Sequence, residues 1–268
     1  MKRLLPVALV LVSLVAAACG SGSPETIVGK DKLIVGVRPD LPLIGVKKPD
    51  GTFEGFDVDV ARYIGKKLGA EIEFTPVLAA QRESALTSGN VDMVLASYTI
   101  SQDRKAKVLF GGPYIIAYQD LLVRKDETGI DNVRDLKGRR ICQVKGSNAA
   151  QRVIEERKVQ AQVVPVADYA TCVQMLKSSQ LDVITTDDVI LAGLAATNDG
   201  MKLVNAKFNE QRTGIGLRKT DVEGCEAVNR AITDMYQDGT AARLLHRWFD
   251  KAGLSLTTIA VPQFEGCS

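Results

Sequence analysis

Polar side chains follow two short apolar segments of the chain, and their chemistry is that of a small-molecule site. Ser97 and Thr99 come directly after the apolar run in MVLASYTIS, and Asp187 follows the apolar run in LDVITTDD. In open α/β sheets, ligands bind in the crevice at the carboxyl ends of the strands. The two polar segments are therefore predicted to form the facing walls of one cleft.

Other polar and charged residues stand at element ends where a small ligand could bind. Gly146, Ser147 and Asn148 stand at a predicted helix start, where unpaired N–H groups favour an anion such as a carboxylate; Ser147 could instead only cap the helix. Arg38 in GVRPD and Arg82 in AAQRE add two cations. A dry cleft that holds a charged ligand needs partners of opposite charge, because an unpaired buried charge is costly.

Catalytic and metal chemistry have little support in the sequence. His246 is the single histidine, and it lies in a helical pattern, ARLLHRWF, which favours a packing or surface role. Most zinc sites and any Ser/His or Cys/His pair would depend on this one position. No nucleotide-binding glycine loop or GxSxG motif is present. We expect no metal, no cofactor and no enzyme activity.

The charge balance argues against nucleic acid as a partner. The chain has 268 residues, 46% of them hydrophobic and 25% charged, which is typical of globular proteins. Its formal charge is +2, and two of the basic residues, Lys2 and Arg3, lie in a predicted leader. Aromatic residues make up only 5% of the chain. A neutral chain with few stacking side chains lacks the footprint of a nucleic-acid-binding protein.

The N-terminus predicts export. A basic start and the apolar run from Leu4 to Ala18 are typical of a signal peptide, 1–18, and are too short to span a bilayer. AAAC resembles a bacterial lipobox, although Ala16 stands where leucine is more common, and it implies lipidation of Cys19. The alternative is ordinary cleavage with an unpaired cysteine. Residues 19–29 would form a flexible tether, anchoring the exported protein to the outer face of the cytoplasmic membrane by lipid only.

The remaining cysteines support an oxidising compartment. Cys142, Cys172, Cys225 and Cys267 are even in number, so two disulfides are expected. Three pairings exist, and proximity along the chain favours Cys142 with Cys172 and Cys225 with Cys267. The alternative is four buried thiols.

Hydrophobic periodicity predicts alternating strands and helices. LIVGVR is a predicted strand, a helix with Phe56 at its start follows, and strands are expected at 121–124, 140–144, 162–165 and 183–186. Asp57 and Asp59 are interpreted as acids that serve the cap and dipole of this helix, with paired carboxylates or a cation site as the alternative. The phrases ALTSGNVDMVLAS and MLKSSQLDVITTD match at an offset of 90 residues. Two related α/β lobes would explain that repeat.

The chain resembles the family 3 extracytoplasmic solute-binding proteins, which deliver polar amino acids to ABC importers. The resemblance covers nearly the whole mature chain. It depends on LIVGVR, GFDVDVARYIGKKLG, SGNVDMVLASYTISQDRKAKVLFGGPY, the stretch from DLKGRRI to QVKGSNAAQ, DVITTDDVILAG and DGTAARLLHRWF. QRES, GGPY, KGSNAAQ and Cys142 with Cys172 are most similar to glutamate-binding lipoproteins of actinobacterial importers.

This resemblance implies a type II periplasmic-binding-protein fold, of the Venus flytrap kind, with two α/β lobes joined by two crossing strands. The crossings would fall near 114–120 and 211–215. Lobe 1 would be discontinuous, 30–117 plus 214–268, and lobe 2 would be 118–213. The expected partners are an amino acid and the permease of an ABC importer, and the expected state is a monomer.

The motifs and the resemblance together imply the ligand-binding residues. Arg104 would hold the α-carboxylate, Ser97 and Thr99 would contact the ammonium and carboxylate, and Asp187 would accept from the ammonium. The full predicted set is Arg38, Phe56, Arg82, Ser97, Thr99, Arg104, Ser147, Asn148, Tyr169 and Asp187. In it Phe56 is the aromatic wall, with a core role as the alternative, and Tyr169 is a donor from lobe 2.

The side-chain end of the ligand decides the substrate. Glutamine binders of this family have an acidic residue at the end of the first strand, whereas Arg38 stands here and Arg82 adds a second cation. Two guanidinium groups are better partners for a carboxylate than for an amide. The expected ligand is therefore glutamate, with aspartate weaker; glutamine or general polar amino-acid binding is the alternative. A dehydratase on the same fold, or a sensor lobe, are further alternatives.

Overall fold

Helices pack on a mixed sheet in the computed structural model, which describes residues 26–254 and 261–268. The strands are β1 Lys32–Val37, β2 Asp40–Leu41, β3 Gly45–Lys47, β4 Phe53–Glu54, β5 Glu71–Pro76, β6 Met93–Leu95, β7 Val108–Arg124, β8 Arg140–Val144, β9 Gln162–Val166, β10 Ile184–Asp187, β11 Met201–Leu203 and β12 Phe208–Arg218. The α-helices are α1 Phe56–Leu68, α2 Arg82–Thr87, α3 Gln102–Lys105, α4 Ala149–Glu155, α5 Tyr169–Lys177, α6 Asp188–Ala196, α7 Val222–Gln237 and α8 Thr240–Phe249. Short 3-10 turns cover Ala79–Gln81, Val133–Leu136 and Asp250–Ala252. The predicted signal peptide, Cys19 and the first part of the tether lie outside the described residues.

The parallel part of the sheet is built on the apolar strand β1. Leu33, Val35 and Val37 are fully buried, and β1 pairs in parallel with β5 on one side and β6 on the other. A run that is buried on both faces is typical of a parallel strand covered by helices. The helix α1 confirms the predicted periodicity and ends at Gly69, whose φ of 72° closes it in the left-handed conformation.

Two long strands carry the sheet from one half of the molecule to the other. The strands β7 and β12 pair antiparallel from Phe208 opposite Gln119 to Arg218 opposite Val108. β12 also pairs with β6, and β7 pairs with β10 and β11. The strand predicted at 121–124 is only the end of β7. The glycines and proline in GGPY are not typical of a strand, so the earlier part of β7 was not predicted. The predicted crossings at 114–120 and 211–215 lie inside β7 and β12; the exact lobe boundaries stay a prediction.

The 90-residue repeat has a structural counterpart. In the first copy the helix α2 precedes β6, and Asp92 accepts a hydrogen bond from the Ile34 N–H at 2.8 Å. In the second copy α5 precedes β10, and Asp182 accepts from the Arg140 N–H at 2.8 Å. Each aspartate thus ties the turn before its strand to the neighbouring strand, so the matched phrases build the same local structure.

Both favoured disulfides are present. Cys142 of β8 is joined to Cys172 of α5, and Cys225 of α7 is joined to Cys267 in the C-terminal segment. The first bridge therefore links a strand and a helix of the second half. The second bridge fastens the end of the chain to α7, where Glu265 forms ion pairs with Lys105 and Arg212.

Loss of the first bridge should lower the melting temperature without abolishing the fold. The bridge spans a sequence separation of 30 residues, which corresponds to about 3 to 4 kcal/mol in the chain-entropy account. For a chain of this size that is roughly 10 °C. Calorimetry of the Cys142→Ser, Cys172→Ser double variant checks this, with the Cys225→Ser, Cys267→Ser pair for comparison. An unchanged melting temperature would contradict the stabilising role.

No helix among the described residues is long and apolar enough to cross a bilayer. The same residues contain no group of three or more histidine, cysteine or acidic side chains arranged to hold a metal ion.

Candidate functional site

The first predicted wall is the turn that follows β6. Ser97 and Thr99 are buried there, and Ser97 has a φ of 46°, in the left-handed region that a residue with a Cβ adopts at a cost. Thr99 forms an isolated antiparallel bridge with Thr213 of β12. The turn therefore lies beside the crossing strands, as the position of Ser97 at a strand end predicts.

Arg82 holds this turn from behind. It is buried on α2, and its guanidinium donates to the Ala79, Ala96 and Ser97 carbonyls and, at 2.9 Å, to the Gly146 carbonyl. Burial, and next the nearby charge of Arg104, lower its pKa. An arginine has five N–H donors, so at most one remains for a ligand. The contacts of Arg82 in this structure are thus to the protein, and the predicted contact to a ligand side-chain carboxylate stays a prediction.

Arg104 lies at the mouth of the same wall. Its guanidinium donates to the Thr99 carbonyl at 2.7 Å and to the Gly146 carbonyl at 3.0 Å, with Glu83 at 3.9 Å. It lies 5.2 Å from the ring centroid of Tyr98, and Arg82 lies 4.5 Å from the same centroid. Both guanidinium groups therefore lie within the distance at which an aromatic ring attracts a cation.

The second predicted wall begins where β10 ends. Asp187 is buried, and its Oδ2 accepts from the Ser97 hydroxyl at 3.4 Å. Burial, and next the charge of Asp188, raise the pKa of Asp187 to about 7, while Arg104 opposes this shift. An ammonium group arriving beside this carboxylate would lower its pKa again. The contact of Asp187 with a ligand ammonium stays a prediction. Asp188 is the first residue of α6 and pairs with Lys207.

The remaining residues of the second wall come from β8, α4 and α5. Ser147 Oγ accepts from the Ala149 N–H at 3.2 Å, which fits the alternative role of Ser147 at the start of the helix. Asn148 occupies the position before α4 without a side-chain cap. Tyr169 is buried at the start of α5, where its hydroxyl donates to Thr186 Oγ1 at 2.8 Å, and burial raises its pKa.

The two walls meet in this structure. The Gly146 carbonyl accepts from Arg82 and Arg104, and Gly146 itself has a φ of 85°. A Cβ at this position would lie 2.5 Å from the Ala80 nitrogen. Glycine is therefore required for the second wall to approach the 3-10 turn that precedes α2.

Arg38 is paired within its own segment. Its Nε and Nη2 each donate to Asp40 at 2.8 Å, a two-pronged ion pair with a buried guanidinium. Sequence reasoning singled out Arg38 and passed over Asp40, although the spacing in RPD was the available signal. Because Asp40 already neutralises this cation, Arg38 offers less charge to a ligand than the sequence predicts.

Phe56 lies in the core. Its ring is 6.0 Å from that of Tyr114 and 5.3 Å from that of Phe249, centroid to centroid. These contacts are those of a core residue, the alternative role of Phe56. The contact of Phe56 with a ligand stays a prediction.

The capping interpretation of Asp57 is wrong. Gly55 is the residue before α1, no side chain caps the helix, and Asp57 is buried with its carboxylate turned to Tyr114 and Ser97. Asp59 faces outward to Arg62 and Trp248. Acids in a first helical turn usually serve the helix, and nothing local in the sequence marks the one that is buried by a distant strand.

The sheet crosses between the two halves of the molecule, and polar strand ends meet in the crevice. This is the type II periplasmic-binding-protein fold. The sequence profile of the bacterial extracellular solute-binding proteins, family 3, matches residues 33–251. The chain belongs to that family.

Individual relatives differ in the ligand that they are named for. The chain is 36% identical over 253 residues to the glutamate-binding protein GluB of Corynebacterium glutamicum, covering 88% of this chain and 85% of that protein. It is 34% identical over 268 residues to the glutamine-binding protein GlnH of Bacillus subtilis, covering 92% and 97%. Among solved structures, the ancestral amino acid-binding protein AncCDT-1, a precursor of cyclohexadienyl dehydratase, superposes with a TM-score of 0.74 at 30% identity, covering 82% and 95%. The relatives thus share the fold across several ligands.

Proposed function

We propose that this chain is an extracytoplasmic substrate-binding lipoprotein that captures glutamate, and aspartate more weakly, between two closing lobes and delivers it to an ABC importer. The observation that carries the proposal is that Asp187 lies 3.4 Å from the Ser97 hydroxyl of the opposite wall, within the electrostatic influence of Arg104. A guanidinium on one wall and a carboxylate on the other match the α-carboxylate and ammonium of an amino acid. The similarity to GluB supports glutamate among the amino acids.

The charges of the site favour an anionic ligand. Three buried or largely buried guanidinium groups, those of Arg38, Arg82 and Arg104, surround the crevice. Against them stand Asp40, Asp57 and Asp187, and the last two have raised pKa values, about 6 and about 7, because burial disfavours their charge. Near neutral pH Asp187 is only partly ionised, whereas Asp40 pairs with Arg38 and Glu83 lies 3.9 Å from Arg104. A ligand that carries a second carboxylate would bring a negative partner to Arg82, whose hydrogen bonds go to backbone carbonyls.

Glutamine is the second candidate, and one observation favours it. Asp40 occupies Arg38, and backbone carbonyls occupy Arg82, so the cations assigned to the ligand side chain are already bonded. The similarity to GlnH fits this alternative. Catalysis of the dehydratase kind is not part of the proposal, because Asp187, the carboxylate that could act as an acid, is assigned to the ligand ammonium.

The proposal extends to the setting of the protein. The signal peptide 1–18 would be removed, Cys19 would carry the lipid, and 19–29 would tether the lobes 30–117 plus 214–268 and 118–213 to the outer face of the cytoplasmic membrane. The protein would act as a monomer that presents its loaded form to the permease. Membership of a family of extracellular proteins supports export.

Calorimetry of the mature domain with glutamate, glutamine and aspartate tests the choice of ligand. Glutamate should bind at least ~100-fold more tightly than glutamine, about 2.7 kcal/mol, because charge-assisted hydrogen bonds are stronger than neutral ones. Aspartate should be weaker, since it is one methylene shorter. The Arg38→Asp variant should reduce the glutamate preference more than Arg104→Ala does. Equal affinities for glutamate and glutamine in the wild type would refute acidic specificity and leave a general polar amino-acid binder.

A further inference from the structure

A buried carboxylate lies behind the first wall of the site, outside the contacts assigned to the ligand. Asp57 is 2% exposed, at the second residue of α1. Its Oδ1 accepts from the Tyr114 hydroxyl at 2.6 Å, and its Oδ2 accepts from the Ser97 N–H at 2.9 Å. Both bonds join Asp57 to segments distant in sequence, so this carboxylate organises tertiary structure.

The turn at Ser97 is held on both sides by buried charged groups. Asp57 takes its N–H, while Arg82 Nη1 donates to the Ala96 carbonyl at 3.1 Å and to the Ser97 carbonyl at 2.8 Å. Because Ser97 has a φ of 46°, which a serine seldom adopts, the surroundings must impose this conformation. The result is that the Ser97 hydroxyl points across the crevice to Asp187, at 3.4 Å.

The second bond of Asp57 reaches a crossing strand. Tyr114 is buried on β7, next to Ile115, which pairs with Thr213 of β12. Thr213 in turn bridges Thr99 in the first wall. The carboxylate of Asp57 therefore connects the ligand-facing turn with the strand on which relative movement of the two lobes would depend.

We propose that Asp57 is a positioning residue for amino-acid capture, which holds the Ser97 turn in its binding conformation and couples that turn to the crossing strand through Tyr114. The inference rests on the proposed function, in which Ser97 contacts the α-groups of the ligand. Since those groups are common to all amino acids, Asp57 acts on affinity and not on the choice between glutamate and glutamine.

The groups facing Asp57 define how this role depends on pH. Burial raises the pKa of Asp57 to about 6, while the Tyr114 hydroxyl, the Ser97 N–H and the charges of Arg38 and Arg82 oppose that shift. Only the carboxylate can accept both bonds, so the Ser97 turn is held in its binding conformation by the ionised form of Asp57 and is held less firmly when Asp57 is protonated. The affinity gained in this way is present above about pH 6 and is lost as the pH falls below it.

The test uses three variants of the exported domain, with glutamate and glutamine as calorimetric probes. Asp57→Ala removes both bonds. Asp57→Asn keeps one acceptor for the Ser97 N–H but cannot titrate. Asp59→Ala is the matched control, because Asp59 lies in the same helical turn but its carboxylate contacts Arg62 of α1 and Trp248 and Arg247 of α8, away from the Ser97 turn.

At pH 7.5 the Asp57→Ala substitution should lower the affinity for both glutamate and glutamine about 10- to 100-fold, as expected for losing hydrogen bonds to a charged group. Asp57→Asn should recover most of this loss, and Asp59→Ala should stay within about twofold of the wild type. Between pH 7 and pH 5 the wild type should lose up to about tenfold more affinity than Asp57→Asn. Asp187 is present in both the wild type and Asp57→Asn, so the effect of its titration on affinity is the same in both and does not contribute to the difference.

Two kinds of failure are distinguishable. If the wild type binds neither these probes nor any other amino acid, the proposed function is wrong, and the role of Asp57 is wrong with it. If the wild type binds and Asp57→Ala has the same affinity, the positioning role alone is overturned. The same holds if Asp57→Ala loses affinity for only one of the two amino acids. Should Asp57→Ala not fold, the profile of Asp57→Asn decides: a pH dependence identical to that of the wild type refutes the proposal.

Discussion

Replacing Arg104 by alanine is expected to weaken the binding of every amino acid by ~30-fold to several thousand-fold. Losing one partner of a buried charged contact costs roughly 2 to 5 kcal/mol, which converts to that range. Arg104 is assigned to the α-carboxylate, a group shared by all amino acids, so the loss should be equal for glutamate and glutamine. Calorimetry of the variant with both ligands measures it.

Two further variants sharpen this test. Arg104→Lys keeps the positive charge but loses the planar two-pronged geometry, and should retain part of the affinity. Lys105→Ala is the control, because it removes the next cation of α3, which pairs with Glu265 of the C-terminal segment. Near-normal affinity in Arg104→Ala, or a loss confined to glutamate, would show that this residue does not hold the α-carboxylate.

Replacing Gly193 by alanine is expected to weaken ligand binding by roughly 5- to 150-fold while leaving the melting temperature without ligand unchanged or higher. A Cβ on Gly193 of α6 would lie 2.1 Å from the carbonyl oxygen of Pro42, a backbone atom of the segment between β2 and β3. Overpacking of this kind costs typically 1 to 3 kcal/mol. In a helix interior, alanine is otherwise better than glycine by about 1 kcal/mol.

Because α6 belongs to the predicted lobe 2 and Pro42 to lobe 1, the added methyl group should obstruct closure and spare each lobe. Calorimetry gives the affinity, and small-angle scattering should show less compaction on addition of glutamate than in the wild type. A variant that loses thermal stability but binds its ligand normally would mean that the contact belongs to one rigid unit, contrary to the two-lobe clamp.

Much of the fold could be predicted because its signals are local. The apolar runs of β1 and β8, the periodicity of α1 and the 90-residue repeat are all properties of short segments, and the structure reproduces them. The meeting of Ser97 with Asp187 also follows from a general rule, that polar strand ends share the edge of a sheet. The two disulfides followed from export and from proximity along the chain.

The contacts that the sequence did not predict join residues distant in the chain, or involve one side chain that bonds several groups at once. Asp57 and Asp59 are equivalent in the sequence, and only the packing of β7 decides which one is buried. Arg82 is a cation in the sequence, but its bonds to four carbonyls are set by a turn 15 residues further on and by Gly146 of the second wall. Residue type predicted the charges of this site better than it predicted what each charge contacts.

If the chain is exported as proposed, the disulfide between Cys142 and Cys172 would form only in an oxidising compartment, and the second wall would be complete only there. It ties β8, which leads into Ser147, to α5, which begins with Tyr169. In a reducing compartment these two elements would be joined by packing alone, and the wall would be looser. Newly made copies still inside the cell would then compete poorly for its amino acids, and tight capture would mature only once the protein has left.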